Sequence, residues 1–539
     1  MRKAGILILA SSAAIAVGTS AVGYGVTVRN APIPSGGTAR AAQAAARAVP
    51  SGAVAAASPA RTALQPRSPG AFIEPDADFQ FPRLAEYPGP AGRIGIAFAG
   101  EPFRTRGHPF FRAGPNGRAC VTCHQPADAM SLSTRTIKAR WDATGGRDPL
   151  FQVSDGANCP NLPRGEQKSH SLLLERGVFR VSLPWPPKRP DGTQIDPDFT
   201  LEVVADPTGC NTSPVYGLKS PIPMVSVYRR PRMAGNLRYV EKSGQSLNFK
   251  SMTPLERDPV SGEHSSMAIM SDARATSLRA QAVEAAGVHM GLSNFTPQEL
   301  ERLVDFERKL HVAQNASTIG GRFDAPNTPK ALGVNAMVKG TAQYIGNDRN
   351  TGVFFFFNEW KKPVRPGDAQ GEFRASVARG YDVFFLKPIW ISDTYGINHL
   401  PLAGNPYKQT CAFCHSTQLT GGDDVPGWMD IGTNNFPNTA ASPDLPTFKL
   451  TCKDTTAPHP FMGRVIFTHD PGRALVSGKC QDAGGVVMQQ FRGISARAPY
   501  FTNGGAKSLR EVVDFYDRRY RIGYSDQEKQ DLINFLSVL

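Results

Sequence analysis

Residues 118–126 read RACVTCHQP, and the same arrangement of two cysteines followed by a histidine returns at residues 410–416, TCAFCHS. Each C-x-x-C-H motif places two thiols and one imidazole within five positions, close enough for the three side chains to hold a single bound group. The two motifs lie far apart in a chain of 539 residues. The sequence therefore predicts two separate binding sites of the same kind.

Three kinds of chemistry use closely spaced cysteine and histidine. Zinc takes four ligands, usually from two paired half-sites, and neither motif has a convincing second pair nearby. A redox-active dithiol needs only C-x-x-C and leaves the repeated histidine unexplained. Covalent haem c uses all three residues, because the thiols form thioethers and the imidazole binds the iron. The sequence therefore predicts two covalently bound haem c groups, the first held by Cys120, Cys123 and the proximal ligand His124, the second by Cys411, Cys414 and the proximal ligand His415.

The composition is that of a globular protein, with 40% hydrophobic and 20% charged residues in a chain long enough for two or more cores. The net charge is +14, but residues 1–70 contain seven Lys and Arg and no Asp or Glu. The remaining excess is spread over a large body without a basic run. No nucleic-acid partner is therefore predicted.

The first 26 residues begin with MRK and continue as an uncharged, mostly apolar stretch, which is the pattern of an export signal. Cleavage after Ala21 would remove this stretch, whereas retention would leave one anchor helix. Residues 27–70, rich in Ala, Pro, Ser and Arg, bury too little apolar surface to fold and are predicted to be a disordered tether. We expect a periplasmic protein, either free or tethered to the inner membrane.

Four cysteines lie outside the two motifs, and bare thiols tend to pair in an oxidising compartment. Proximity in the sequence favours one bridge between Cys159 and Cys210 and another between Cys452 and Cys480. The alternative is unpaired, buried cysteine.

The predicted fold class is mainly α, with two cytochrome c-like haem domains, long loops and a small β insertion in the first domain. We place the N-terminal haem domain with its insertion at 71–325, a connecting segment at 326–364 and the C-terminal haem domain at 365–539. Alternating apolar residues and turn signals between Leu150 and Tyr228 indicate the insertion. In the connecting segment, Phe354 to Phe357 are expected to pack in a core.

Several helices carry their own start signals. Ser508 with Glu511 and Ser525 with Glu528 form capping boxes, and the second of these helices should run through Leu536. Thr296-Pro297 likewise predicts a helix through about Gln314. Residues 373–386 are expected to form a helix that precedes the second motif.

In these features the chain resembles the bacterial di-haem cytochrome c peroxidase and MauG superfamily. The resemblance covers about half of the chain and is strongest in HPFFRAGPNGRACVTCHQP (108–126), ARGYDVFF (378–385), CAFCHSTQLTGG (411–422) and DPGRALVSGKCQDAGGVVMQQFRGISARAPYF (470–501), followed by TNGGAKSLREVVDFYDRR. Extended relatives include rubber-cleaving oxygenases. The region 130–265 is longer than in the compact peroxidases.

The resemblance implies that peroxide reacts at the N-terminal haem and that the C-terminal haem relays electrons. The second iron would then have a sixth ligand, for which Tyr516 is the candidate in the MauG-like alignment. A phenolate ligand would lower the reduction potential. The alternative for Tyr516 is an aromatic core residue, and Met488 and Met429 are the other candidate ligands.

For proton transfer at the first haem the family supplies a Gln followed by a Glu. The segment here matches the family at Asp272, Arg274 and Gln281, but no Glu stands at the expected spacing. His289 is nearest to that place, so Gln281 and His289 are the catalytic candidates. A helix-end histidine without a catalytic role is the alternative.

Three further points concern the two haems. The family's tryptophan between the irons aligns with Ser271, so that only another tryptophan, among Trp141, Trp185, Trp360, Trp390 and Trp428, could replace it in space. Met130 or Met290 could cap the first haem, which would make the protein a plain electron carrier. A calcium ion between the domains is also implied by the resemblance, without an identifiable ligand set.

The leading hypothesis is an exported di-haem oxidoreductase that reacts with hydrogen peroxide. Its electron donor would be a small redox protein, either a cytochrome c or a cupredoxin. Alternatively, the electrons would come from a protein or organic substrate that is oxidised. The alternatives are a di-haem oxygenase that cleaves an organic substrate, with the insertion lining an apolar channel, and a di-haem electron-transfer protein without enzymatic activity.

Overall fold

The computed structural model describes residues 72–189, 191–242, 247–248, 253–254, 265–340, 357–400, 403–415, 420–422, 427–439 and 442–539. The predicted signal or anchor and the predicted tether lie outside these ranges, as do Phe354 to Phe356. Within the described residues, no helix is both long enough and apolar enough to cross a membrane. The described residues all belong to one compact unit of the chain.

The longest helix in the described ranges has 18 residues and precedes the second C-x-x-C-H motif. The bounds of the helices are α1 Cys120–Cys123, α2 Thr134–Thr144, α3 Ser171–Arg176, α4 Leu237–Lys242, α5 Leu278–Ala285, α6 Pro297–Lys309, α7 Val334–Lys339, α8 Ala369–Leu386, α9 Cys411–Cys414, α10 Ala474–Ser477, α11 Leu509–Tyr520 and α12 Asp526–Ser537. A π-helical turn, Ala286–Met290, continues α5.

The strands form small sheets in which every pairing between strands is antiparallel within the described ranges. Their bounds are β1 Gln80–Phe81, β2 Leu84–Gly89, β3 Gly92–Phe98, β4 Phe103–Arg104, β5 Phe179–Pro184, β6 Phe199–Ala205, β7 Met224–Arg229, β8 Leu247–Asn248, β9 Thr253–Pro254, β10 Leu310–Ser317, β11 Gly321–Arg322, β12 Ile389–Ile391, β13 Tyr407–Gln409, β14 Trp428–Met429, β15 Thr447–Cys452, β16 Val465–Thr468 and β17 Val486–Val487. The largest sheet has the order β11-β10-β3-β2.

The predicted fold class is wrong. The chain is a mixed α/β protein with many antiparallel sheets, and not a mainly α pair of cytochrome c-like domains. The reason lies in long-range pairing: β3 joins β10, more than two hundred residues further along the chain, with Leu310 opposite Phe98 and Ser317 opposite Gly92. Such partners leave no local signal in the sequence.

The same pairing corrects the helix predicted from Thr296 to about Gln314. Helix α6 starts as expected, with Thr296 and Glu299 in a capping box, but it ends at Lys309. The next residues form β10, whose eight residues are all buried. Pairing with β3 satisfies the backbone groups of these buried residues, and this outweighs a further turn of helix.

The predicted β insertion is present as β5, β6 and β7, but it is not confined to the first half of the chain. Strands β5 and β7 pair with each other, whereas β6 pairs with β15, which pairs in turn with β16. Both predicted disulfides are confirmed: Cys159 is bonded to Cys210 and Cys452 to Cys480. The second bridge links β15 to the segment after α10.

The helical predictions in the C-terminal half are confirmed for α8, α11 and α12. Helix α8 packs closely on α12, because Gly380 leaves room for the backbone: a Cβ there would lie 2.0 Å from the carbonyl oxygen of Asp531. The carboxylate of Asp531 accepts hydrogen bonds from Ser376 Oγ at 2.6 Å and from Arg379 Nε at 2.9 Å. Phe357 is buried in the same core and contacts Phe535, as expected for the connecting segment.

Candidate functional site

The first C-x-x-C-H motif forms a single helical turn, α1, which His124 ends as the C-terminal cap. The Nδ1–H of His124 donates to the carbonyl of Met130 at 3.0 Å. Burial lowers the pKa of His124 to about 4, so the ring is neutral at physiological pH. With Nδ1 protonated, Nε2 keeps its lone pair, which is the form in which imidazole binds a metal.

The second motif repeats this arrangement. Helix α9 is again one turn, and His415 caps it. The Nδ1–H of His415 donates to the carbonyl of Gly421 at 2.9 Å, again six residues further along the chain. The ring packs against Phe491, with centroids 4.3 Å apart, and against Phe384, at 5.9 Å. Both histidines are therefore oriented by one backbone carbonyl each.

The cysteines of the two motifs differ from the other four in their bonding. Cys120, Cys123, Cys411 and Cys414 do not form disulfides, whereas the remaining four do. Burial is the main reason that the pKa of Cys120 and of Cys411 is raised, so these thiols are not exposed nucleophiles. Two spaced thiols that form no disulfide, beside an oriented imidazole, fit covalent attachment of haem c.

A cavity of about 210 Å³ adjoins the second motif and is lined by Cys411, Cys414 and His415 together with mostly apolar side chains. Arg230 and Arg497 also line this cavity, and burial lowers the pKa of each to about 10. Within the described residues neither forms a salt bridge with a carboxylate; Arg230 donates instead to the carbonyls of Leu132 and Arg497. Apolar walls and buried guanidinium groups fit a haem, which is flat, apolar and carries two carboxylates.

All three candidate sixth ligands of the second site, Tyr516, Met488 and Met429, line this cavity. Burial is the largest cause of a raised pKa at Tyr516, and the nearby thiols of Cys414 and Cys411 add to it. The Tyr516 side chain thus lies close to the cysteines of the second C-x-x-C-H motif, which line the same cavity.

The two halves of the chain share more than the C-x-x-C-H motif. Ile269 bridges Ala275 in the first half, as Tyr500 bridges Ala506 in the second. The residue that follows Ile269 and the residue that follows Tyr500 both have a left-handed backbone, with φ 65° at Met270 and φ 65° at Phe501. This turn therefore occurs twice, at matching places.

A helix follows the turn in both halves and begins S-L-R, with a serine cap. Ser277 Oγ accepts from the backbone N–H of Ala280, and Ser508 Oγ accepts from that of Glu511. Tyr516 is the eighth residue after its cap, and the eighth residue after Ser277 is alanine, Ala285. At this matching position the first helix thus carries a methyl group and the second carries a phenol.

Each helix ends at a residue with a left-handed backbone, Gly291 in the first half and Arg521 in the second. Counted from the serine cap, the first helix reaches this residue one position later than the second. The π-helical turn accommodates the additional residue. Gln281 corresponds to Val512, which lines the second cavity, and Met290 corresponds to Tyr520, which also lines it.

His289 does lie near the first motif, but it is tied to a neighbour that the sequence did not indicate. Its Nδ1–H donates to Asp155 Oδ2 at 2.5 Å, and the same carboxylate forms a salt bridge with Arg118. Although burial alone would raise it, the pKa of Asp155 is held below its usual range by Arg118 and His289. Arg118 precedes the motif by two residues, so this chain of three side chains connects His289 to the first site.

The two methionines near the first site occupy different places. The carbonyl of Met130 accepts the hydrogen bond from His124, so Met130 lies on the same side of the site as the proximal imidazole. Met290 is buried, and its Sδ lies 4.0 Å from Cys120 Sγ, at the edge where a thioether would form.

The family-matched residues Asp272 and Arg274 form an ion-pair network rather than a proton path. Asp272 bridges Arg229, at 2.5 Å, and Arg274, at 2.8 Å, while Arg274 also binds Glu284. Next to them, Trp428 packs against Ala268, Ala273 and Val487, beside Ser271, whose carbonyl accepts from the N–H of Val487. Of the five tryptophans, Trp428 is thus the one found beside the segment where the family tryptophan is missing.

No group of three or more His, Cys, Asp or Glu residues that could hold a metal ion occurs in the described part of the chain. The calcium ion that the resemblance implies thus has no cluster of acidic side chains of this kind among the described residues. The strands of the insertion also do not line the second cavity; from residues 130–242, only Ser131, Arg230 and Pro231 do.

Each C-x-x-C-H motif combines two cysteines outside the disulfides with an oriented histidine, and a similar turn and serine-capped helix occur in both halves of the described chain. No family model matches the chain. The chain is 31% identical over 149 residues to the cytochrome-c peroxidase IdrP1 of Pseudomonas sp. (strain SCT). The matched region covers 24% of this chain and 37% of that protein. The chain thus matches little more than a third of the relative's length, and the peroxidase-like similarity is partial.

Among solved structures, the Kuenenia stuttgartiensis hydrazine synthase matches 73% of this chain and 87% of its own chain, at 15% identity and a TM-score of 0.27. A superposition at this score carries no argument about the fold or the activity of the present chain.

Proposed function

We propose that this protein is an exported oxidoreductase with two covalently bound haem c groups, in which the first site reacts with hydrogen peroxide and the second relays electrons. The observation that carries the proposal is that Ala285 and Tyr516 stand at the same distance from the serine caps of two helices that both begin S-L-R. A methyl group at this position would leave room for a small molecule at the first site, whereas the phenol of Tyr516, which lines the second cavity, would occupy space at the second site. The partial similarity to a cytochrome-c peroxidase supports the same assignment.

When bound at His124 and His415, haem c supplies the iron and the capacity to exchange single electrons. The chain itself supplies orientation and protons. The carbonyls of Met130 and Gly421 fix the two imidazoles through Nδ1–H. At the first site, Asp155 holds the Nδ1 proton of His289, which leaves Nε2 free to accept or return a proton.

Gln281 corresponds to a residue that lines the second cavity, so its amide would face the matching space at the first site and donate a hydrogen bond to bound peroxide. Overall, one hydrogen peroxide takes up two electrons and two protons and yields two water molecules. The electrons would come from a small exported redox protein, such as a cytochrome c or a cupredoxin, or from an organic or protein substrate.

The test is a titration of the purified diferric holoprotein with cyanide, a small ligand for an open iron, followed by absorbance. We expect one equivalent to bind to the wild type, two to Tyr516→Phe, and none to Ala285→Tyr. Peroxide-dependent oxidation of a reduced small cytochrome should parallel the first-site binding and be lost in Ala285→Tyr.

Failure of the wild type to bind cyanide or consume peroxide would favour the electron carrier. Dioxygen uptake with an organic substrate and no reductant would favour the oxygenase. In either case, the matched variant Ala286→Ser, next to the proposed open position, controls for damage to the helix.

A further inference from the structure

Glu307 is a buried acidic residue that the proposed mechanism does not use. It lies on the inner face of α6, beside Leu303, Val304 and Phe306, and only 5% of it is exposed. Among the described residues, its Oε2 atom has no hydrogen-bond partner. A buried carboxyl oxygen without a partner is costly, so such a group needs an explanation.

The repeat places Glu307 at the first haem site. Helix α6 and helix α12 both begin with a capping box, Thr296 with Glu299 and Ser525 with Glu528. Counted from these caps, the residue of α12 that matches Glu307 is Leu536. Leu536 lines the second cavity, together with Cys411, Cys414 and His415. The buried Phe306 and Phe535 match in the same register, so the correspondence extends beyond one position.

A second observation gives the same location without the repeat. Burial is the main cause of the raised pKa of Cys120, and the charge of Glu307 is the next. The carboxyl of Glu307 therefore lies within electrostatic reach of the thiol that would attach the first haem. The second site has a leucine here, so only the first site carries an ionisable group at this place.

The charges around Glu307 favour its protonated form. Glu241, on α4, is a like charge, and its carboxylate is occupied by Arg308, with Nε at 2.8 Å and Nη2 at 2.9 Å. Burial and Glu241 raise the pKa of Glu307 to about 8, and Arg308 lowers it only in part. A group with this pKa can change its protonation near neutral pH when a charge beside it changes.

We propose that Glu307 takes up a proton when the first haem site is reduced. The inference rests on the proposed haem at Cys120, Cys123 and His124, but not on any reaction with peroxide. The site gains one electron from an external reductant, and the Glu307 carboxylate binds one proton from water, forming an O–H bond. The local charge is then unchanged, and no other bond forms or breaks. The second site, with Leu536, lacks this coupling.

The experiment is a spectroelectrochemical titration of the holoprotein with redox mediators over a range of pH. A tenfold change in proton activity corresponds to about 59 mV for a one-electron couple. We expect one of the two haem potentials to fall with pH by up to this amount per unit across the range in which Glu307 titrates. Glu307→Gln should abolish this dependence and leave the other potential unchanged.

Glu301→Gln is the matched control, because Glu301 lies on the same helix with 55% of its side chain exposed, and it should keep the wild-type slope. Glu307→Asp should also keep the slope, with a displaced midpoint, and it serves if Glu307→Gln does not fold. A pH indicator dye in weak buffer should report proton uptake on reduction of the wild type and less uptake in Glu307→Gln.

Two pH-independent potentials in the wild type, or an unchanged slope in Glu307→Gln, would overturn the proposal. Loss of peroxide activity with an intact slope would instead count against the proposed function and leave the proton coupling in place. Absence of covalent haem in the purified protein would count against both.

Discussion

Asp155→Asn tests the chain of side chains that joins Arg118 to His289. The substitution keeps the shape of the side chain and removes the negative charge opposite Arg118, whose side chain is 1% exposed. Removing one partner of a buried ion pair costs about 3–5 kcal/mol. Arg118 keeps hydrogen bonds to the carbonyls of Pro149 and Leu150, each at 2.7 Å, so we expect the lower end, about 3 kcal/mol.

The pH dependence of this loss has a definite sign. Asp155 has a lower pKa in the folded protein than the value of about 3.9 for an unfolded chain. Its contribution to stability is therefore complete above pH ~4 and is lost as the pH falls through that value towards the folded-state pKa. The difference in the free energy of unfolding between wild type and Asp155→Asn should accordingly be largest near neutral pH and shrink in acid.

The assay is denaturant unfolding of the holoproteins, followed by circular dichroism, at several pH values. Asp142→Asn is the control, because Asp142 is exposed on the neighbouring helix α2 and should change little. A loss of less than about 1 kcal/mol at neutral pH would refute the reasoning, since Arg118 would then not depend on this carboxylate. In the active protein, Asp155→Asn should also shift the pH profile of peroxide turnover, because it alters the hydrogen bond that fixes the His289 proton.

Three further predictions concern the framework and the second site. Gly380→Ala should destabilise the protein by about 1–3 kcal/mol, measured by thermal unfolding, because the new methyl group would collide with the backbone of α12; an unchanged melting temperature would contradict the close packing. Replacing Cys452 and Cys480 by serine should lower the free energy of unfolding by about 4 kcal/mol, because the bridge closes a loop whose ends are 28 residues apart. Urea unfolding measures this loss, and a much smaller loss would show that the bridge does not form. Leu536→Glu should introduce a pH-dependent potential at the second site, and a pH-independent result would show that this position does not face the haem.

The residues of the first site show which features the sequence left hidden. Asp155 and Glu307 are separated from Cys120 by loops and whole elements, and their roles depend on burial and on which partners reach them. A comparison of the chain with itself could have found Glu307, since TPQELERLVDFE (296–307) and SDQEKQDLINFL (525–536) share Q-E, L and F at equal spacing. Asp155 has no such signal.

The sequence by itself determined the two C-x-x-C-H motifs and the starts of α6, α11 and α12. These features depend on neighbouring residues, such as a thiol spacing or a serine that caps its own helix. For the four other cysteines, the sequence only favoured the pairings that the structure contains. The tertiary structure alone decided that the chain is a mixed α/β protein, because β3 meets β10 and β6 meets β15 across long intervals. It also decided which polar groups are buried at the first site, since burial and pairing arise only when distant segments pack together.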